Sequence, residues 1–361
     1  MLTGHGGNIH QMSRETGRRP SDFIDMSSNV NPLGPPQGLV DFLKEKMPGI
    51  SALPEPDSRG AAACFARDAG LDPRRVLAGN GTSLFIHSAP LCLGIRNALI
   101  AGPTYSEYEY VCRLHGARVT FAHSRASEGF VPDLDRLADR ARGTDAVFVC
   151  NPNNPTGALI PGEKIKALCR SLPDTRFVID ESYMAFADGE SRHSVAGAGL
   201  DNAAVLISIS KIFKIPGLRV GFVTAPPGMI RKFKDHLPPW SMNTLAQEAV
   251  SRLSETKKEM DAFIARTRLF LNREKETFRQ RMEGIRGLAL FPAAASFMLI
   301  QLPPGEKSGD VCHRLAADGI LIRDCANFSG LGPGFVRVSF KDEAANLELA
   351  RRLRDILTKG A

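Results

Sequence analysis

The chain has 361 residues, 43% of them hydrophobic and 24% charged, with a formal net charge of +7. That length allows two domains, and the composition is that of an ordinary soluble enzyme. The charge does not call for nucleic acid, because the basic residues are scattered and no DNA-binding module stands at either end; a small anionic substrate explains a basic site equally well.

No apolar run is long enough to cross a bilayer, so no membrane partner is expected. The seven cysteines are odd in number, contain no Cys-x-x-Cys pair and follow no signal peptide. Reduced thiols and a cytoplasmic location are the expectation, and no metal site is expected.

Residues 1–36 are rich in Gly, Asn, Ser and Pro and show little periodicity; they read as an ordered arm reaching an active site. Over 37–246, short apolar and often β-branched runs at 97–101, 118–122, 146–150, 177–180 and 204–208 alternate with helical patterns at 83–93, 106–115, 134–141 and 163–171. Such alternation predicts an α/β domain with a mostly parallel sheet covered on both faces. Ligands on such sheets sit beyond the carboxyl ends of the strands. Over 247–361 the pattern changes to a charged helical stretch at 247–282, strands at 297–302, 320–323 and 335–340, and helices at 309–317 and 343–357. This part reads as a smaller α+β domain.

Four motifs carry the chemistry. Leu77-Ala78-Gly79-Asn80-Gly81-Thr82-Ser83 precedes an apolar helix, so Gly81 and Thr82 can offer helix N-terminal amides to a phosphate. Cys150-Asn151-Pro152-Asn153-Asn154-Pro155-Thr156-Gly157 is a tight turn directly after a strand. Phe177-Val178-Ile179-Asp180-Glu181-Ser182-Tyr183 ends a strand in a carboxylate. Ser208-Ile209-Ser210-Lys211 is followed, eight residues beyond the lysine, by Arg219. Lysine forms a Schiff base with an aldehyde cofactor, and serine hydroxyls with an arginine fork suit that cofactor's phosphate.

Together these motifs resemble the fold-type I enzymes that use pyridoxal 5′-phosphate (PLP), the aminotransferase class I/II group. The resemblance implies a large domain with a mostly parallel seven-stranded sheet flanked by helices, plus a smaller α+β domain. It implies Lys211 as the attachment lysine, with Lys214 a second candidate that the flanking serine disfavours. It places Asp180 at the pyridine nitrogen, Tyr183 and Asn154 at the phenolic oxygen, and Tyr105 on the ring. Gly81, Thr82, Ser208, Ser210 and Arg219 form the phosphate cup. Family members near this branch usually carry a tyrosine that crosses a homodimer to the partner's phosphate; here the position is Leu53.

The ends of the chain narrow the resemblance. His5-Gly6-Gly7-Asn8, Ser27-Ser28-Asn29-Val30-Asn31-Pro32, Pro239-Trp240-Ser241-Met242-Asn243, and the run from Gly319 to Ser339 are similar to the branch that decarboxylates an O-phospho-amino acid. The implied reaction is decarboxylation of L-threonine O-3-phosphate to (R)-1-amino-2-propanol phosphate for cobalamin synthesis. The alternative is transamination of histidinol phosphate or a related amino acid. In either case Arg337 suits a substrate carboxylate and Arg323 a substrate phosphate. His5 and the Gly6 amide could close over that phosphate, with Asn29 and Asn154 against the substrate. The same residues serve both reactions, which differ in which bond to Cα is held perpendicular to the cofactor ring.

Overall fold

The computed structural model describes residues 6–7 and 9–358. Its strands are β1 (Ile24–Asp25), β2 (Val76–Asn80), β3 (Asn97–Gly102), β4 (Arg118–His123), β5 (Ala146–Cys150), β6 (Arg176–Asp180), β7 (Ala203–Ile207), β8 (Val220–Thr224), β9 (Ala289–Leu290), β10 (Phe297–Gln301), β11 (Ile320–Leu321), β12 (Arg323–Asp324) and β13 (Phe335–Ser339). Seven of them form one sheet in the order β2-β8-β7-β6-β5-β3-β4. All its pairings are parallel except those of β8 with β7 and β2.

The sheet is covered on both faces because successive residues of its central strands alternate between two apolar layers. Phe148 and Val178 join one layer with Phe85, Tyr108 and Phe233. Val147, Val149, Phe177 and Ile179 join the other with Leu137, Ile165 and Leu168. Such strands read as continuous apolar runs, which is why they are legible in sequence. Strands β2 and β8 carry no strand signal in the sequence, since Gly79, Asn80 and Gly221 are residues depleted in strands. Gly221 has a tertiary reason: a Cβ there would lie 2.3 Å from the Thr82 amide nitrogen.

The second sheet has the order β12-β13-β10-β9, with β13 antiparallel to both neighbours. It packs against helices Lys257–Met282, Ser308–Ala317 and Glu343–Thr358 through Phe278, Phe297, Val336, Phe340 and Leu349. The helical stretch expected at 247–282 is two helices, Thr244–Glu255 and Lys257–Met282, separated at Thr256. Asn243 caps the first by accepting the Ala246 amide at 2.9 Å. That helix packs on the large sheet through Ala246 and Val250, beside Phe222 and Met242.

The arm is tied down at several points. Its helix Ile9–Thr16 is not expected from the low periodicity of residues 1–36. Strand β1 pairs in parallel with β11, and the Ser339 amide donates to the Met26 carbonyl at 2.8 Å. Asn31, fully buried, donates to the Ile212 carbonyl at 2.7 Å and to Thr267 at 2.8 Å, while its own amide reaches the Lys211 carbonyl at 3.0 Å. The arm thereby links the lysine loop to the second sheet. Among the described residues no helix is long and apolar enough to cross a membrane, and all seven cysteines are free thiols.

Candidate active site

One cavity of about 220 Å³ opens beyond the carboxyl ends of β5, β6 and β7. Every site residue singled out from sequence lines it, namely Gly6, Asn29, Gly81, Thr82, Tyr105, Asn154, Asp180, Tyr183, Ser208, Ser210, Lys211, Arg219, Arg323 and Arg337. The exception is His5, which lies outside the described residues. Lys211 lines the cavity and Lys214 does not.

At one end the surfaces are anion-binding. Helix Gly81–Cys92 begins there, and its N-cap residue Asn80 makes no side-chain cap bond; the first amides sit at the positive end of the helix dipole. Gly81 has φ +74, and a Cβ on it would meet the Arg219 guanidinium at 2.6 Å, so the fork is held over the helix start. Arg219 also donates to Ser83 at 3.4 Å. The Ser208 hydroxyl makes no hydrogen bond among the described residues. Ser210 differs: its hydroxyl donates to the Val220 carbonyl at 2.8 Å and accepts the Val220 amide at 3.3 Å. Its proton is therefore committed to bracing the lysine loop against β8.

At the far end stands Asp180, 5% exposed. Oδ1 accepts the Ser182 amide at 2.9 Å and Oδ2 accepts the Tyr108 hydroxyl at 2.7 Å. Each oxygen keeps a lone pair for a further donor. Tyr183 is oriented by a relay: Ser339 donates to Asn29 Oδ1 at 2.6 Å, which turns Asn29 Nδ2 toward the Tyr183 oxygen at 3.1 Å. Because that oxygen already accepts a bond, its own proton is free for the cavity. Burial pushes the Tyr183 phenol up to about 12, so it stays a donor at neutral pH. Burial likewise lowers Lys211 to about 8, aided by Arg219 and Arg337 and opposed by Asp180.

The two arginines of the second sheet form the remaining wall. Arg323 and Arg337 are directly opposite each other across β12 and β13, 8% and 4% exposed. Like charges facing each other on one sheet face repel, and neither has a carboxylate partner among the described residues. Arg337 donates to Asn154 Oδ1 and to the Ser27 carbonyl, and lies over the Phe297 ring at 5.1 Å. Its Nε is buried without a partner among the described residues. Arg323 donates to Asn327 at 2.7 Å and lies over Phe328 at 5.0 Å. Burial lowers the pKa of both guanidinium groups, a cost that bound anions would offset. With Oδ1 taken by Arg337, Asn154 presents its NH2 end as a donor.

Sequence reasoning missed Tyr108, Ser182, Ser27, Ser28 and Phe328, which also line the cavity. Tyr108 had a weak signal: it is a second aromatic three residues after Tyr105, in the first turn of helix Glu107–Leu114. The serines carried none, because the partners of their hydroxyl and backbone groups lie in other segments or in local turns that no pattern marks.

A lysine at a strand end, with an anion cup on one side and a buried carboxylate on the other, is how fold-type I enzymes receive PLP. The chain belongs to the aminotransferase class I and II family, whose model matches residues 21–353. Threonine-phosphate decarboxylase of Salmonella typhimurium is 30% identical over 360 residues, covering 99% of this chain and 97% of that protein. The crystal structure of L-threonine-O-3-phosphate decarboxylase from Porphyromonas gingivalis matches with a TM-score of 0.81 at 27% identity, covering 92% of this chain and 98% of that one. That of histidinol-phosphate aminotransferase from Clostridium acetobutylicum matches with a TM-score of 0.84 at 27% identity, covering 92% and 99%. The residues present fit PLP: the helix-start amides, Ser208 and Arg219 suit its phosphate, Asp180 its ring nitrogen, and Tyr183 with Asn154 its phenolic oxygen.

Proposed function

We propose that this chain is a PLP-dependent decarboxylase of L-threonine O-3-phosphate, releasing carbon dioxide and (R)-1-amino-2-propanol phosphate for cobalamin synthesis. The observation that carries this reading is the buried, carboxylate-free pair Arg323 and Arg337, set opposite each other in the wall of the lysine's cavity. Two such cations call for a substrate with two anionic groups, and a phospho-amino acid has a carboxylate and a phosphate. The full-length likeness to the Salmonella decarboxylase supports the choice of substrate.

When bound, PLP accepts the electron pair left behind as a bond to the substrate Cα breaks. The chain's own residues do the rest. Arg337 would offer the remaining N–H groups of its fork to the substrate carboxylate, and Arg323 would hold the phosphate. Between them they set which bond to Cα is aligned for cleavage. Asp180 would hold the proton on the ring nitrogen, and Tyr183 and Asn154 would donate to the phenolic oxygen. Lys211, a near-neutral base at about 8, can hold or return a proton at Cα.

The test is to incubate PLP-loaded protein with L-threonine O-3-phosphate, with and without 2-oxoglutarate, and identify the product by mass spectrometry. Aminopropanol phosphate formed without the oxo acid is the expected outcome. A keto acid formed only with 2-oxoglutarate would establish the aminotransferase reading, to which the Clostridium structure is the corresponding relative.

We further propose that the protein works as a homodimer. Met47, Ile50, Leu53 and Trp240 are all exposed, Leu53 by 75%. They belong to adjoining segments, since the Trp240 amide donates to the Pro56 carbonyl at 2.8 Å. Exposed apolar patches of this kind mark partner surfaces, and a second copy is the occupant the family resemblance implies. Leu53 offers no hydrogen bond to a partner's cofactor, so its contribution is apolar packing. Sedimentation should give a dimer for the wild type and a shift toward monomer for Ile50→Asp or Trp240→Asp; a wild-type monomer at micromolar concentration would sink the idea. The free thiols support a reducing, cytoplasmic setting, which a native disulfide found by mass mapping would contradict.

A further inference from the structure

We propose that Tyr108 is a positioning residue for the cofactor, whose hydroxyl fixes Asp180 and sets how strongly that carboxylate draws on the proton of the ring nitrogen. The proposal rests on the reading that Asp180 pairs with PLP.

Tyr108 is 1% exposed. Its ring is stacked on Phe148 with centroids 5.7 Å apart and meets Tyr105 edge-on at 5.7 Å, so it is walled in. A phenylalanine would fill the same apolar space without the cost of burying a hydroxyl. The hydroxyl has one acceptor for its proton, Asp180 Oδ2 at 2.7 Å, and among the described residues no other side chain hydrogen-bonds Asp180. The Ser182 amide fixes the other oxygen at 2.9 Å. One oxygen is thus held by the backbone and the other by Tyr108, which orients the carboxylate in its plane.

The remaining titratable groups around this carboxylate have other engagements. Cys150 bonds to the Pro152 carbonyl at 3.3 Å while its sulfur also lies against the Tyr108 hydroxyl, and Tyr183 takes the Asn29 amide. Glu181 accepts from Ser194 at 2.6 Å and from the Val195 amide at 2.7 Å. The Lys211 ammonium and the Tyr105 phenol act on it through space. Burial also holds the Tyr108 phenol well above its ordinary range, so it is a proton donor at every working pH. Tyr108 and the ring nitrogen therefore offer protons to one carboxylate in competition. Without the phenol, Asp180 draws harder on the ring-nitrogen proton, the ring carries less positive charge, and the lysine nitrogen attached to it takes up a proton more readily.

The test is the pH titration of the visible absorbance of PLP-loaded wild type, Tyr108→Phe and Asp180→Asn, with kcat, KM and Tm measured alongside. Tyr108→Phe should raise the absorbance midpoint by about half to one pH unit, the size of one buried hydrogen bond. It should lower kcat about 3–10-fold and leave KM within about twofold. A purely structural tyrosine would lower Tm and leave the midpoint in place; that outcome overturns the proposal. If Asp180→Asn moves the midpoint and Tyr108→Phe does not, only the proposal falls. If the wild type shows no cofactor absorbance, or Asp180→Asn leaves its midpoint unmoved, the PLP reading of Asp180 fails and the proposal falls with it.

Discussion

Lys211→Ala is expected to abolish turnover, by about four orders of magnitude or more, and to remove the lysine-dependent visible absorbance of the PLP-loaded protein. Lys211 is the lysine that lines the cavity. Lys214→Ala should keep both properties: its residue has φ +49 and stands outside the cavity lining. The pH dependence of cofactor uptake gives an independent check. An ordinary lysine with a pKa of 10.5 is almost wholly protonated at neutral pH, and only the neutral amine attacks an aldehyde. Burial and the nearby Arg219 and Arg337 lower Lys211 to about 8. The rate at which cofactor-stripped protein takes up PLP should therefore rise with pH to half its maximum near 8. The same shift has a stability consequence in the cofactor-free protein. Between about pH 8 and 10.5 the unfolded chain holds more protons at this site than the folded one, so this group's contribution to stability rises with pH across that window. An uptake half-point near 10.5, or absorbance lost in Lys214→Ala and kept in Lys211→Ala, would show the assignment to be wrong.

The second large effect is expected at the arginine pair. Arg337→Met should lower kcat/KM for L-threonine O-3-phosphate by about a hundredfold or more, the loss that follows truncation of one partner in a desolvated charge pair. It leaves Asn154 Oδ1 and the Ser27 carbonyl without their donor, so Arg337→Lys is the companion variant. Lysine keeps the charge and loses the fork, and a drop of about tenfold or more is expected from geometry alone. Arg323 is distinguished by specificity. If it holds the phosphate, Arg323→Gln should reduce the preference for phosphothreonine over threonine, whereas Arg337→Lys should lower activity on both and leave the ratio nearly unchanged. Equal loss of the ratio in both variants would mean that the two arginines do not divide the carboxylate and phosphate between them.

Much of this site was legible because its parts are local. The strands β5, β6 and β7 are apolar runs with no polar interruption, so their ends could be located, and the residues at those ends are chemically distinct: Asn154, Asp180 and Lys211. A helix start after Gly81 is readable for the same reason. Strands β2 and β8 were not legible, because their glycines look like turn signals until the close approach of Gly221 to the Thr82 amide is seen. The break at Thr256 between two helices was hidden by helix-favouring residues on both sides. The helix Ile9–Thr16 was hidden by the polar composition around it.

The amino-acid sequence by itself determined the α/β architecture, the four motifs and many of the residues that line the candidate cavity, because periodicity and residue chemistry act over a few neighbouring positions. Only the tertiary structure decided how those residues are used. It committed the Ser210 hydroxyl to Val220, turned Asn29 toward Tyr183 through Ser339, and brought Tyr108 to Asp180 across 72 residues. It also set Arg323 against Arg337 in adjacent strands. Hydrogen-bond direction and charge opposition depend on distances of a few ångströms between segments far apart in the chain, and no local pattern of residues encodes them.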